Sequence, residues 1–249
     1  MSSVSQLSLR RDPVRLLLSR GLWRSVWYLL AYLAVGWFLF AVALSAAVTG
    51  AALSVTLAGL PVLVAAAATV RWCADVERGR LRPMVTESVT GYYRQVTGSG
   101  IVAQVRTRWR DPATWRDIAY LVGMFVPLVV LDCTVLALWA VFLAGITLPV
   151  WYWAPWQTVH GVRYHGYDLG YHPNGPHGPG AWGLYVDTLP KALLVAAACL
   201  ILFLLFNYVL VATARLHAAI ASSLLRAGDD PLREAKEVLD RPGPLAIRG

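Results

Sequence analysis

Apolar and polar positions divide this chain into long blocks. No Asp, Glu, Lys or Arg occurs between Arg24 and Arg71 or between Lys191 and Arg215, and from Ile118 to Val162 the only charge is Asp132. A helix needs about 20 apolar residues to cross the hydrocarbon of a bilayer. The blocks therefore predict spans near 26–48, 51–71, 117–139 and 191–214. The first apolar run is too long for a cleaved signal peptide, and a second follows it at once. The fold class expected is an all-α integral membrane protein with four transmembrane helices.

The punctuation between the blocks predicts how they connect. Thr49-Gly50 suits the first turn, because glycine tolerates the backbone angles a turn requires. Gly59-Leu60-Pro61 predicts a kink early in the second span. Residues 72–116 read as a polar linker in which Gly98-Ser-Gly100 breaks any helix. Asp111 and Pro112 then suit the cap and first position of a new helix, with Trp115 at headgroup depth. Trp151, Tyr152, Trp153 and Trp156 mark the opposite interface, and Asp187-Thr-Leu-Pro190 the re-entry into the last span. Residues 141–153 have three open paths: an extension of the third helix, a course along the interface, or a dip back in.

Sliding the chain against itself brings out an internal repeat. A shift of 88 aligns Trp27 with Trp115, Ala31-Tyr32-Leu33 with Ala119-Tyr120-Leu121, and Leu60-Pro61 with Leu148-Pro149. A shift of 144 aligns Thr69 with Thr213, Arg71 with Arg215, Ala74 with Ala218, and Leu81-Arg82 with Leu225-Arg226. Two parallel-repeat hairpins (26–71 and 117–214) are expected, the second carrying a loop insertion at about 154–190.

Charge orients the hairpins. The chain is 57% hydrophobic and 14% charged, with a net charge of +8. Of its 22 basic residues, 20 lie before the first span, in 71–116 or from Arg215 onward. That is the positive-inside bias. It places residues 1–25, 72–116 and 215–249, and hence both termini, in the cytoplasm. The 154–190 loop is then extracytoplasmic. The basicity needs no nucleic-acid partner, the lipid bilayer being partner enough. Cys73, Cys133 and Cys199 lie at a membrane edge or inside spans, so no disulfide framework is expected.

Candidate chemistry is sparse. The extracytoplasmic loop gathers His160, His165, His172 and His177 with Asp168, side chains able to titrate near neutrality or ligate Zn²⁺ or Cu²⁺. Their spacing matches no metal motif, and interleaved Tyr164, Tyr167 and Tyr171 suit a flexible loop lying against headgroups. Whether the four bind a metal stays open. Asp132 is a charge inside a span, a position that marks a functional site by default. Its distance from Trp115 also suits a carboxylate reached by water near the outer interface, with Pro127 opening the helix. Asn207 and Tyr208 read as interhelical hydrogen-bonding residues.

DPATWRDIAYL (Asp111–Leu121), LPVWYW (Leu148–Trp153), GLYVDTLPKALL (Gly183–Leu194) and ARLHAAIASSLL (Ala214–Leu225) carry a resemblance covering most of 22–226. The chain resembles the sensor domain at the N-terminus of many actinobacterial two-component histidine kinases. The resemblance implies a four-span membrane module and a partner such as a histidine kinase, a response regulator or a second copy. The residues after Arg226 are too few for a kinase core, and RPGPLAIRG reads as a natural tail, so a stand-alone member is expected. His217 lacks the acidic neighbour of a phosphoacceptor and reads as an interfacial residue.

The function expected is therefore a non-catalytic membrane sensor without cofactor. It would relay an extracytoplasmic or membrane stimulus through Arg215, His217 and Arg226 to a cytoplasmic signalling partner. The alternatives are a transporter subunit built around Asp132 and, on weaker grounds, a metal-dependent intramembrane enzyme using the loop histidines. No HExxH or GxSxG motif supports the latter.

Overall fold

The computed structural model describes residues 12–226 apart from 55, 57–58, 86–88, 97 and 177. The chain up to residue 11, the tail from 227 and His177 thus lie outside the described residues. In order, the elements are α1 (Pro13–Leu17), α2 (Arg20–Leu53), α3 (Gly59–Leu81), α4 (Ile101–Trp109), α5 (Pro112–Ile118), a π turn (Ala119–Gly123) and α6 (Phe125–Trp151). Strands β1 (Trp156–Val159), β2 (Val162–His165), β3 (Tyr167–Tyr171) and β4 (Trp182–Val186) follow, and α7 (Leu189–Leu225) closes the described chain. Four of the helices, α2, α3, α6 and α7, are long and apolar enough to cross a membrane. The protein is a multi-pass membrane protein.

The chain divides into two compact units. Among the described residues, one holds 31–130 and 215–226, and the other holds 12–30 and 131–214.

In the first unit, several connections differ from expectation. Helix α2 runs through Thr49-Gly50 to Leu53. Gly50 faces α3, where an added Cβ would stand 3.1 Å from the Ala66 methyl, so it permits a close helix approach and makes no turn. Pro61 does not kink α3. It sits in the first turn, where a missing N–H costs nothing. Residues 72–116 are not a loose linker, because α4 packs along α3. Trp109 Nε1 donates to the Leu63 carbonyl at 3.0 Å, and Arg108 Nη1 to the Val64 carbonyl at 3.1 Å.

Helix α3 is also the least hydrophobic of the four spans, with mean hydropathy 1.4 against 2.1 to 2.7 for the others. Its apolar part, Gly59 to Val70, covers only about 18 Å. In the polar remainder, Arg71 and Arg78 are paired with residues of α5 and its cap, described below.

Pro127 acts upstream of itself. It brings no N–H for the Gly123 carbonyl and crowds that carbonyl. The chain answers with the π turn, in which the Met124 N–H reaches back five residues to Ala119 at 2.9 Å. Such bulges relieve a broken ladder and recur at functional sites.

In the second unit, 141–153 takes the first of its three paths: α6 continues unbroken to Trp151 with Pro149 inside it. The insertion is not a flexible loop but two antiparallel hairpins, β1–β2 and β3–β4. Val162 pairs with Val159, so the first turn is the pair His160-Gly161. Both residues have positive φ, 51° and 81°, as the two-residue turn that matches strand twist demands. Val186 at the end of β4 packs with Leu148 of α6 and Ala192 of α7, and Trp151 and Tyr152 flank them. The β3–β4 hairpin is thereby seated on the helix ends.

These elements do not establish the repeat arrangement. The shift of 144 equates like places, since Leu81 ends α3 and Leu225 ends α7. The shift of 88 does not, since Leu60-Pro61 opens α3 whereas Leu148-Pro149 lies in the last turns of α6.

Candidate functional site

The last turn of α7 ends on carbonyls that no further helical turn satisfies, as every helix does. Two arginines from elsewhere in the unit bond to them. Arg78 Nε donates to the Leu225 carbonyl at 3.0 Å. Arg116 Nη2 donates to the carbonyls of Ser223 and Arg226 at 2.9 and 2.6 Å. Cations suit a helix C-terminus, where the summed peptide dipoles present partial negative charge.

Arg78 is the hub. Its guanidinium is buried, and its remaining nitrogens are committed: Nη1 to Asp75 at 2.7 Å and the Tyr93 hydroxyl at 2.8 Å, Nη2 to Asp117 at 2.7 Å. Tyr93 in turn donates to the second Asp117 oxygen at 2.7 Å. The extended segment 89–96 closes over this group at Gly91, where an added Cβ would stand 2.7 Å from the guanidinium carbon. Buried charge is tolerable only when paired and hydrogen-bonded throughout. This cluster meets that condition with α3, α5, the 89–96 segment and α7 all contributing.

Burial pushes the Asp117 carboxyl up from its ordinary 3.8 to about 6, and the Arg78 charge and Tyr93 hydroxyl offset this only in part. Burial, together with the bond to Asp117, pushes the Tyr93 hydroxyl up as well, which keeps it a donor.

Beside the hub lies a second cluster. Glu77, fully buried, accepts from Arg80 through both oxygens and from the Tyr120 hydroxyl at 3.1 Å. The Tyr120 hydroxyl also lies 3.4 Å from His217 Nε2. The imidazole of His217 stands edge-on to the Tyr32 ring, centroids 4.4 Å apart, and Arg80 lies over the same ring at 4.8 Å. His217, read from the sequence as an interfacial residue, is fully buried within the protein. The repeat-related tyrosines, Tyr32 and Tyr120, both converge on it.

Further along α3, Arg71 reaches Asp111 at 3.1 Å and Thr114 at 3.0 Å. Asp111 caps α5 by accepting from the Ala113 N–H at 3.1 Å. Arg71 and Arg78 on the polar half of α3 are thus both met by α5 or its cap.

The expected relay residues fall here. Arg215 is half-buried in the same unit, and Arg226 takes part through its carbonyl. Sequence reasoning missed Arg78, Asp117, Glu77 and Tyr93. The usable signal was that Arg71 and Arg78, seven apart, share one face of a helix that continues past its apolar part.

The loop residues are only partly brought together. His172 is buried, its Nδ1 2.6 Å from Asp168 and its ring against Tyr185. Burial pushes the Tyr185 hydroxyl up. His160 lies in the first turn with Nε2 3.3 Å from Asn174, while His165 is exposed on β2. Among the described residues no three His, Cys, Asp or Glu side chains are grouped to hold a metal ion. Asp132 is fully buried rather than water-reached. In its unit, Asn207 accepts from Trp139 Nε1 at 3.0 Å, joining α6 to α7.

A family model described as "Putative sensor" matches residues 28–225. The chain belongs to that family. The match takes in α2 from Tyr28, the other three long helices, the strands and both arginine-centred clusters, and it supports a sensor role in general terms. No curated protein and no solved structure matches this sensor.

Proposed function

We propose that this membrane sensor is non-catalytic and relays an extracytoplasmic or membrane stimulus to a cytoplasmic signalling partner through the arginine-capped end of α7. The termini are assigned to the cytoplasm by the positive-inside bias. The observation carrying the reading is the double cap on α7, Arg78 on Leu225 and Arg116 on Ser223 and Arg226. Helix α7 is continuous over 37 residues. Its first turn packs under β4, and its last is held by side chains that a small displacement would unseat. A signal requires two states that a stimulus distinguishes, and a cap to which Arg78 and Arg116 of other elements contribute supplies the point at which they part. A two-component kinase or response regulator is the partner class we favour.

Spin labels at Gly79→Cys and Ser223→Cys test this. Gly79 has open space around it, and Ser223 is exposed. In liposomes the wild-type background should give one narrow inter-label distance. Arg78→Gln should broaden it or add a second population. An unchanged distribution in Arg78→Gln would remove the proposal. The buried Asp132 favours one competing reading, a transporter subunit. Solute flux in proteoliposomes that disappears in Asp132→Asn would replace the sensor reading with it.

A further inference from the structure

A cavity of about 530 Å³ lies between α4 and the 89–96 segment, lined by Tyr92, Arg94, Gln95, Arg106, Thr107 and Arg110. Every lining side chain can donate a hydrogen bond, and none is acidic. Arg94, Arg106 and Arg110 are exposed, and among the described residues none of the three is paired with a carboxylate. The adjacent Asp111 does not neutralise them. It is buried, and its oxygens are taken by Arg71 and by the N–H groups of Arg94 and Ala113.

The cavity is also held in shape. Asp111 fastens the 89–96 segment through the Arg94 N–H at 3.0 Å, and Trp109 and Arg108 fasten α4 to the carbonyls of Leu63 and Val64. Three guanidiniums held at one opening repel one another until an anion of more than one charge joins them. Guanidinium forks match phosphate oxygens bidentately, and the volume suits a phosphate ester with its substituent.

We propose that this cavity binds a phosphate-bearing anion. The phosphate can come from an anionic lipid headgroup or from a soluble phosphorylated molecule. An apolar cleft of about 400 Å³ lined by Val48, Leu63, Trp109 and Trp115 opens beside the last turn of α4, with room for an acyl chain. The site is separate from the α7 cap and does not depend on the relay.

The test is a thermal melt of the full chain in neutral detergent without phosphate. One arm adds inorganic phosphate or pyrophosphate, the other adds phosphatidylglycerol to the micelles. At least one addition should raise the wild-type midpoint by about 3 °C or more. That gain should fall by more than half in Arg106→Gln/Arg110→Gln. A response to phosphatidylglycerol alone identifies a headgroup, and a response to the inorganic anions identifies a soluble source. No response in either arm overturns the proposal, as does an undiminished response in the variant. If the double variant fails to fold, Arg94→Gln decides by the same criterion. The spin-label experiment, run in phosphate-free liposomes of neutral lipid, is unaffected by either outcome.

Discussion

Asp117 is caught between two demands, removal from water and the attraction of Arg78. Desolvation prevails, which sets its carboxyl at about 6 against an ordinary 3.8. An acid whose folded value lies above its unfolded value holds its proton more tightly in the folded state. Its contribution to stability is complete below about pH 4 and is lost as pH rises through about 6. Compared with Asp117→Asn, which cannot ionise, the wild type should therefore gain stability as pH falls from 7.5 to 5. The full displacement corresponds to about 3 kcal/mol, of which the step from pH 7.5 to 5 captures about half. Paired thermal melts at the two pH values measure that part. A gain in the opposite direction would mean that Arg78 governs the carboxyl and holds it low. His217 is likewise buried, its imidazole packed against Tyr32 and beside the Tyr120 hydroxyl.

At the scale of elements, the β1–β2 hairpin turns on two residues with positive φ. Gly161, at 81°, occupies a region an L side chain enters only with strain,. Gly161→Ala should destabilise this hairpin by about 1 kcal/mol. Amide exchange at Gln157–Tyr164 should accelerate while β3–β4 stays protected, and equal protection in both hairpins would contradict the turn assignment. The difference between this hairpin and the flexible loop expected shows where sequence reading runs out.

The four spans were legible because long charge-free blocks have one physical use. So was the Asp111-Pro112 helix start, because capping is local. The hairpins were hidden because their strands are four or five residues long, too short for a strong alternation, and interrupted by glycines. The Gly50 contact and the course of Pro61 depend on which helix lies opposite. The Arg78–Asp117 pair joins positions 39 apart, and no local pattern announces such a partner. The hub was illegible for the same reason that it matters: it ties together four segments distant in the chain.

For the whole molecule, α7 joins two kinds of structure. Its first turns lie under Val186 with Leu148, and its last turn is capped by Arg78 and Arg116. The sensor account requires these ends to face opposite sides of the bilayer, with the hairpins outside and the arginine cap inside. Charge placement supports that direction.

The most direct measurement uses single cysteines in a background from which Cys73, Cys133 and Cys199 have been replaced. Asn174→Cys reports the strand region and Ser223→Cys the end of α7, each exposed. A membrane-impermeant maleimide should label Asn174→Cys in intact cells and reach Ser223→Cys only after lysis. Labelling of both in intact cells, or the reverse pattern, would contradict the account.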